Sequence, residues 1–405
     1  MKRRHFLQSA IVMAGGSLGA TSSVEGRGSD STITRIRYYR SPNHNPTFNQ
    51  NNGIVTVETA GGITGIGEGG SRDMIEQCGA MLIGLDAART EHLWQMMYRG
   101  YFYPAGREKL HALGALDLAL WDIRGKRLGV PVYELLGGLT RKFIECYSTA
   151  FPWQGSQRET AAACIEAGFK AYRVSAVDLG RGQPFDPRKA VRKTFESCQE
   201  VREGVGEGEW AIDYHTRLDF ADAVRLSSLI EKLEPFFAED LVRSENPGIY
   251  RTLRQQVKLP IAVGEQFGDR WDLNELVEND LIDYSRVTLP NCGGITEFLK
   301  ISALCDTHYV GLVPHFTGAV ATAALAHVCG IFPGPVMMEI LRDKPRDEPH
   351  LPESFDFREG KVWPNDRPGL GVEFDPAKAE LLLEITEASR PIPMLERTDG
   401  SFTNW

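Results

Sequence analysis

Asp213, Glu239 and Glu265 stand 26 residues apart (239 − 213 = 26; 265 − 239 = 26). Each closes a short apolar run: Glu209-Trp-Ala-Ile-Asp213, Pro235-Phe-Phe-Ala-Glu239 and Pro260-Ile-Ala-Val-Gly-Glu265. Each run reads as a strand followed by a helix-like stretch, and one strand, one helix and two loops need about that many residues. Three successive βα units therefore present one acid each at the same end of a parallel sheet. If the sheet closes into a barrel, the acids converge. Clustered carboxylates repel strongly unless a cation sits among them, and an oxygen-only ligand set suits a hard ion such as Mg²⁺.

Strand-like and helix-like runs also alternate on either side of these three units. Candidate strands fall at residues 143–147, 171–174, 210–213, 236–239, 261–264, 283–288, 310–313 and 336–339, with helix-like segments between them. Eight strands alternating with helices make a (β/α)₈-type barrel the economical fold. Such a barrel takes about 250 residues, so a chain of 405 has room for one more domain. Residues 31–70 alternate in β fashion with turns at Asn51-Asn52-Gly53 and Ala60-Gly61-Gly62, and residues 72–130 are expected to be helical. The expected organisation is an α+β capping domain over 31–140, the barrel over 141–341, and a Pro-rich segment, 342–405, packing back on the cap.

Composition narrows the function. A net charge of −9 without a dense basic cluster beyond the extreme N-terminus argues against nucleic-acid binding. The seven cysteines are scattered and lack CxxC spacing, which reads as free thiols and not as a disulfide frame or zinc site. No apolar run is long enough to span a membrane. The N-terminus is separate: Lys2-Arg3-Arg4-His5-Phe6-Leu7 precedes a mildly apolar stretch over 11–20. It resembles a twin-arginine export signal cleaved after Ala20, so residues 1–30 are left out of the fold and an exported, periplasmic location is expected, with the cytoplasm as the alternative.

Longer motifs resemble the enolase superfamily in its mandelate racemase and muconate lactonizing branch. They are Ala119-Leu-Trp-Asp-Ile-Arg-Gly-Lys126 with Leu128-Gly-Val-Pro-Val-Tyr-Glu-Leu-Leu-Gly-Gly138, Ala238-Glu-Asp240, Val263-Gly-Glu265, Asn291-Cys-Gly-Gly-Ile-Thr296 and Pro314-His315. The resemblance implies an enolase-like modified barrel with an N-terminal cap. It makes Asp213, Glu239 and Glu265 the Mg²⁺ ligands. It also implies removal of the proton next to a carboxylate, with an enediolate intermediate held by the ion.

Within that branch the chain resembles the galactonate- and mannonate-type sugar-acid dehydratases. His215, two residues after Asp213, matches their general acid; strand alternation would place both side chains on one face. Arg173 stands where many relatives carry a Lys-x-Lys base. Arginine is a poor base, so Arg173 is expected at the substrate carboxylate or in a structural ion pair. His315 is then the base, although Thr288 occupies the position of its usual aspartate partner, leaving that partner unnamed. Glu339 is expected to meet the substrate carboxylate, protonated or bridged by a cation. Arg217 and Asn291 are further substrate-binding candidates.

The expected function is a Mg²⁺-dependent hydro-lyase acting on a small-molecule sugar acid, in a homo-oligomer. The alternatives are a racemase, epimerase or cycloisomerase of the same superfamily, or a binding protein that keeps the fold without turnover. Ser175, Phe185 and Thr288 favour the last; three intact carboxylates weigh against it.

Overall fold

The computed structural model describes residues 30–42, 53–176, 182, 184–390 and 396–403. The twin-arginine segment and Asn51-Asn52 of the first expected turn lie outside them.

The chain begins with a cap. Strands β1 (Ile33–Arg40), β2 (Ile54–Thr59) and β3 (Thr64–Glu68) form an antiparallel meander. Helices α1 (Arg72–Gly79), α2 (Thr90–Arg99) and α3 (Arg107–Leu128) follow, so the region expected to be helical over 72–130 is made of three helices. Helix α3 is buried over most of its length. Strand β3 reaches it through Gly67, where an added Cβ would lie 1.8 Å from the Ala115 carbonyl oxygen. Ile36, Val57, Ile75, Trp94, Leu113 and Leu116 form the cap core. A short helix, α4 (Val132–Leu135), leads out of the cap.

Strand and helix then alternate: β4 (Ile144–Thr149), α5 (Gln157–Glu166), β5 (Ala171–Ser175), α6 (Pro187–Val205), β6 (Glu209–Asp213), α7 (Phe220–Ile230), β7 (Phe237–Glu239), α8 (Ile249–Gln256), β8 (Ile261–Val263), α9 (Arg270–Glu278), β9 (Tyr284–Ser285), α10 (Ile295–Thr307), β10 (Gly311–Leu312), α11 (Ala319–Ile331) and β11 (Met338–Leu341). Neighbours from β4 to β10 pair in parallel, and β11 pairs with β4. Leu312 bridges Val336 in parallel, with Leu312 N–H on the Pro335 carbonyl at 2.9 Å and Met337 N–H on the Leu312 carbonyl at 3.1 Å. These bonds join β10 to the run entering β11 and close the ring.

Every candidate strand has a counterpart, but the sixth is cut short. Pairing stops at Ser285, where residues 283–288 were expected to be strand. The side chain of the next residue, Arg286, is fully buried among carboxylates. Tyr147, Ala171, Ala211, Phe237, Ala262, Val313 and Met337 form a separate apolar cluster. They come from strands all round the ring and fill its interior.

Strands β12 (Asp356–Arg358) and β13 (Lys361–Trp363) form a hairpin joined to β4, and β14 (Glu380–Ile385) pairs antiparallel with β1 in the cap sheet. All seven cysteines are buried and free. No described helix is long and apolar enough to cross a membrane.

Candidate active site

The parallel register delivers the acids to one rim. Asp213 is the register partner of Glu239, and both close their strands. Glu265 follows β8 after Gly264, whose φ of 147° turns the chain and whose bare Cα lets residues 286 and 287 approach. Glu339 enters from β11. Asp213, Glu239 and Glu339 are almost completely buried.

Two guanidinium groups hold this ring together. One Nη of Arg173 lies 2.6 Å from Asp213 and 2.9 Å from Glu239; its other Nη lies 3.5 Å from Glu339, and its Nε donates to the Thr149 hydroxyl at 2.8 Å. These contacts make Arg173 an ion-pair partner of three carboxylates. Arg286 bonds Glu239 and the Tyr147 hydroxyl, reaches Glu339 at 2.7 Å and lies 3.7 Å from Glu265. Sequence reading missed Arg286. Its signal was a lone cation inside the apolar run Tyr284-Ser-Arg-Val-Thr-Leu289.

Glu339 also accepts the Phe316 N–H at 3.0 Å and the Thr149 hydroxyl. Burial pushes its carboxyl up, but Arg286 and Arg173 outweigh that and hold it below the usual carboxylate range. Two guanidinium groups, Arg286 and Arg173, therefore stand beside an ionised Glu339. Asp213 behaves alike: burial raises it, while Arg173 and His215 bring it down to about 2.

The two histidines sit differently. Strand β6 ends at Asp213, and His215 has a φ of 51°. Strand alternation therefore does not relate the two residues, which corrects the expectation. A left-handed turn, unusual for a residue with a Cβ, brings His215 back instead. Its N–H donates to one Asp213 oxygen at 2.6 Å, and its Nδ1 lies 3.1 Å from the other. The ring is more than half exposed, and its hydrogen bond to Asp213 raises its pKa. His315 is buried, with Nε2 3.3 Å from Glu265 Oε1. Burial lowers it to about 4, against the pull of Glu265 and Glu339. Glu265 thus supplies the carboxylate neighbour that the sequence left unnamed. The Thr288 Oγ1 is buried without a hydrogen-bond partner among the described residues.

The remaining candidates lie nearby. A cavity of about 840 Å³ is lined by Thr288, Asn291 and Glu339, by Glu68 of the cap, and by the loop 342–348. Arg217 is exposed and donates to the Ala176 carbonyl at 2.8 Å.

The site fits a hard divalent cation. Four carboxylates (Asp213, Glu239, Glu265, Glu339) face two guanidinium groups; burial pushes Glu239 well above the usual carboxylate range against the pull of Arg286 and Arg173. One oxygen each of Glu239, Asp240 and Glu265 lies within 4.8 Å of the others. Asp240, which the sequence reading did not single out, is held at about 7 by burial and by the charges of Glu265 and Asp213. An excess of carboxylates over guanidinium groups and an oxygen-only donor set are what Mg²⁺ would satisfy.

Comparison with known proteins agrees with this geometry. Residues 44–137 match the family model for the mandelate racemase / muconate lactonizing enzyme N-terminal domain, and residues 156–378 match the enolase C-terminal domain-like model. A D-mannonate dehydratase of Sphingomonas sp. (strain SKA58) is 34% identical over 354 residues, covering 80% of this chain and 86% of that one. A D-galactonate dehydratase of Pectobacterium atrosepticum is 32% identical over 397 residues, covering 92% and 100%. The crystal structure of an enolase from Pantoea ananatis with bound D-gluconate and Mg superposes with a TM-score of 0.76 at 27% identity, covering 86% and 93%. A member of the enolase superfamily from Salmonella Typhimurium gives 0.80 at 25% identity, covering 87% and 99%. The chain belongs to the mandelate racemase and muconate lactonizing branch of the enolase superfamily, and within it stands with the dehydratases, which are hydro-lyases.

Proposed function

We propose that the protein is a Mg²⁺-dependent dehydratase of a sugar acid. The observation that carries this reading is geometric: two imidazoles, from opposite sides of the barrel, each touch a different carboxylate of one acidic set. His215 touches Asp213 after the third strand, and His315 touches Glu265 after the seventh.

Asp213, Glu239 and Glu265, with Asp240 beside them, would hold the ion, which when bound stabilises the negative charge that develops on the substrate carboxylate. His315 takes the proton α to that carboxylate, and His215 gives a proton to the departing β-hydroxyl. Approach from facing strands corresponds to anti elimination, and the product is a 2-keto-3-deoxy acid. Arg173 and Arg286 keep Asp213 and Glu339 ionised and hold Glu239 in place. Asn291 and Glu339 line the cavity that would take the remainder of the acid.

The test is incubation in D₂O with Mg²⁺ and D-mannonate, D-galactonate or D-gluconate. Deuterium uptake at the α-carbon together with a 2-keto-3-deoxy product supports the dehydratase. Uptake without loss of water would favour the racemase or epimerase alternative. Neither event with a broad set of sugar acids would leave the binding-protein alternative.

A further inference from the structure

The loop that carries His315 is held from the cap domain as well as from the barrel. Residues 315–318 run from the seventh strand into α11. At one end Phe316 N–H donates to Glu339. At the other, Gly318 is the N-cap of α11 and has no side chain to accept a bond from the first turn. Free N–H groups at a helix start need an acceptor when buried.

Glu68, the last residue of cap strand β3, supplies it. The residue is 4% exposed, and its Oε2 accepts the Ala321 N–H at 3.0 Å. Its other oxygen occupies the space a side chain at 318 would need: an added Cβ would lie 1.6 Å from Glu68 Oε1. The absent side chain at Gly318 and the carboxylate of Glu68 are therefore complementary. Both oxygens face the start of α11, so Glu68 is occupied with the loop, although it also borders the cavity.

We propose that Glu68 is a positioning residue. By docking the cap onto the start of α11 it fixes residues 315–318 and sets the His315 imidazole against Glu265. The proposal rests on the reading of His315 as the base, but its contact can be judged without turnover.

The experiment uses the full Mg²⁺-loaded chain with ¹³C-labelled histidine, the His315 ring signal being assigned through His315→Asn. In Glu68→Ala that signal should shift or broaden while the signal of His327, buried far along α11, stays in place. Glu68→Gln keeps an acceptor for the Ala321 amide and should return the signal towards its original position. Gly318→Ala should disturb His315 in the wild-type background and much less in Glu68→Ala, where the space is free. If Glu68→Ala folds poorly, the Gln and Gly318→Ala variants still decide the question.

With whichever of the three sugar acids is turned over, Glu68→Ala should lower kcat on the order of 10- to 100-fold with a smaller change in KM, as expected for a displaced base. A lower Tm with an unmoved His315 signal and unchanged kcat would make Glu68 a structural clamp and overturn the proposal. Absence of turnover in the wild-type protein would count against the dehydratase reading alone, since the NMR comparison still judges Glu68.

Discussion

Glu265 Oε1 lies 3.3 Å from His315 Nε2. One carboxylate therefore faces both the proposed ion and the proposed base. It can keep the imidazole oriented, and its charge favours the imidazolium formed after proton transfer. Thr288, expected from the sequence resemblance to stand in place of the base's aspartate partner, has a buried hydroxyl with no partner among the described residues.

Loss of either imidazole should have a separable effect. His315→Asn should abolish both α-proton exchange and product formation, a fall of roughly 10²- to 10⁴-fold. His215→Asn should block loss of water but leave exchange running, because removing the α-proton does not need the leaving group. Deuterium uptake followed by NMR reads both. Exchange that survives in His315→Asn and disappears in His215→Asn would reverse the two roles.

Chelation should abolish turnover and lower thermal stability, with both restored by Mg²⁺. An ion held at about 100 times its Kd adds about 2.7 kcal/mol to the folded state. Glu265→Gln should weaken ion binding measured by calorimetry and remove most of the Mg²⁺-dependent rise in Tm. Full activity in EDTA would refute the metal assignment.

Arg286→Met should be strongly destabilising. It would leave Glu239 and Glu339 buried with one guanidinium fewer, and breaking a buried pair on one side typically costs about 3–5 kcal/mol. Urea unfolding of the purified variant measures this. A loss below ~1 kcal/mol would mean that the carboxylates are held by the ion and Arg173 alone.

Acid should weaken the fold through His327. It is fully buried; its Nδ1 accepts the Tyr133 N–H at 3.3 Å and its Nε2 faces the Leu370 carbonyl at 3.3 Å, and burial holds it near 4. Between the unfolded pKa of about 6.5 and the folded value, only the unfolded chain takes up the proton, so stability rises with pH across that window. His327 should contribute a loss on the order of 3 kcal/mol on going from pH 7 to pH 4. His327→Gln should flatten this limb of a urea-midpoint against pH curve. An unchanged slope would exclude His327 as its source.

What could be read along the chain was whatever depends on spacing along the chain. The 26-residue interval, the alternation of apolar runs with helical segments, and the motifs around Trp121 and Asn291 led to a cap, a barrel and one acidic rim. Strand period and unit length are local properties, so they survive without coordinates. Ring closure decided the rest, because it brings together residues far apart in sequence. It put Arg286 between Glu239 and Glu339, 47 and 53 residues away, and gave His315 the Glu265 neighbour. It carried Glu68 across 253 residues to the start of α11. Local backbone geometry also escaped the pattern: the left-handed turn at His215 replaced strand alternation with a direct bond to Asp213. Burial then separated chemically similar groups, driving Asp240 up while paired cations kept Asp213 and Glu339 low. A carboxylate's charge state depends on which cations and how much water surround it, and those surroundings exist only in the folded chain.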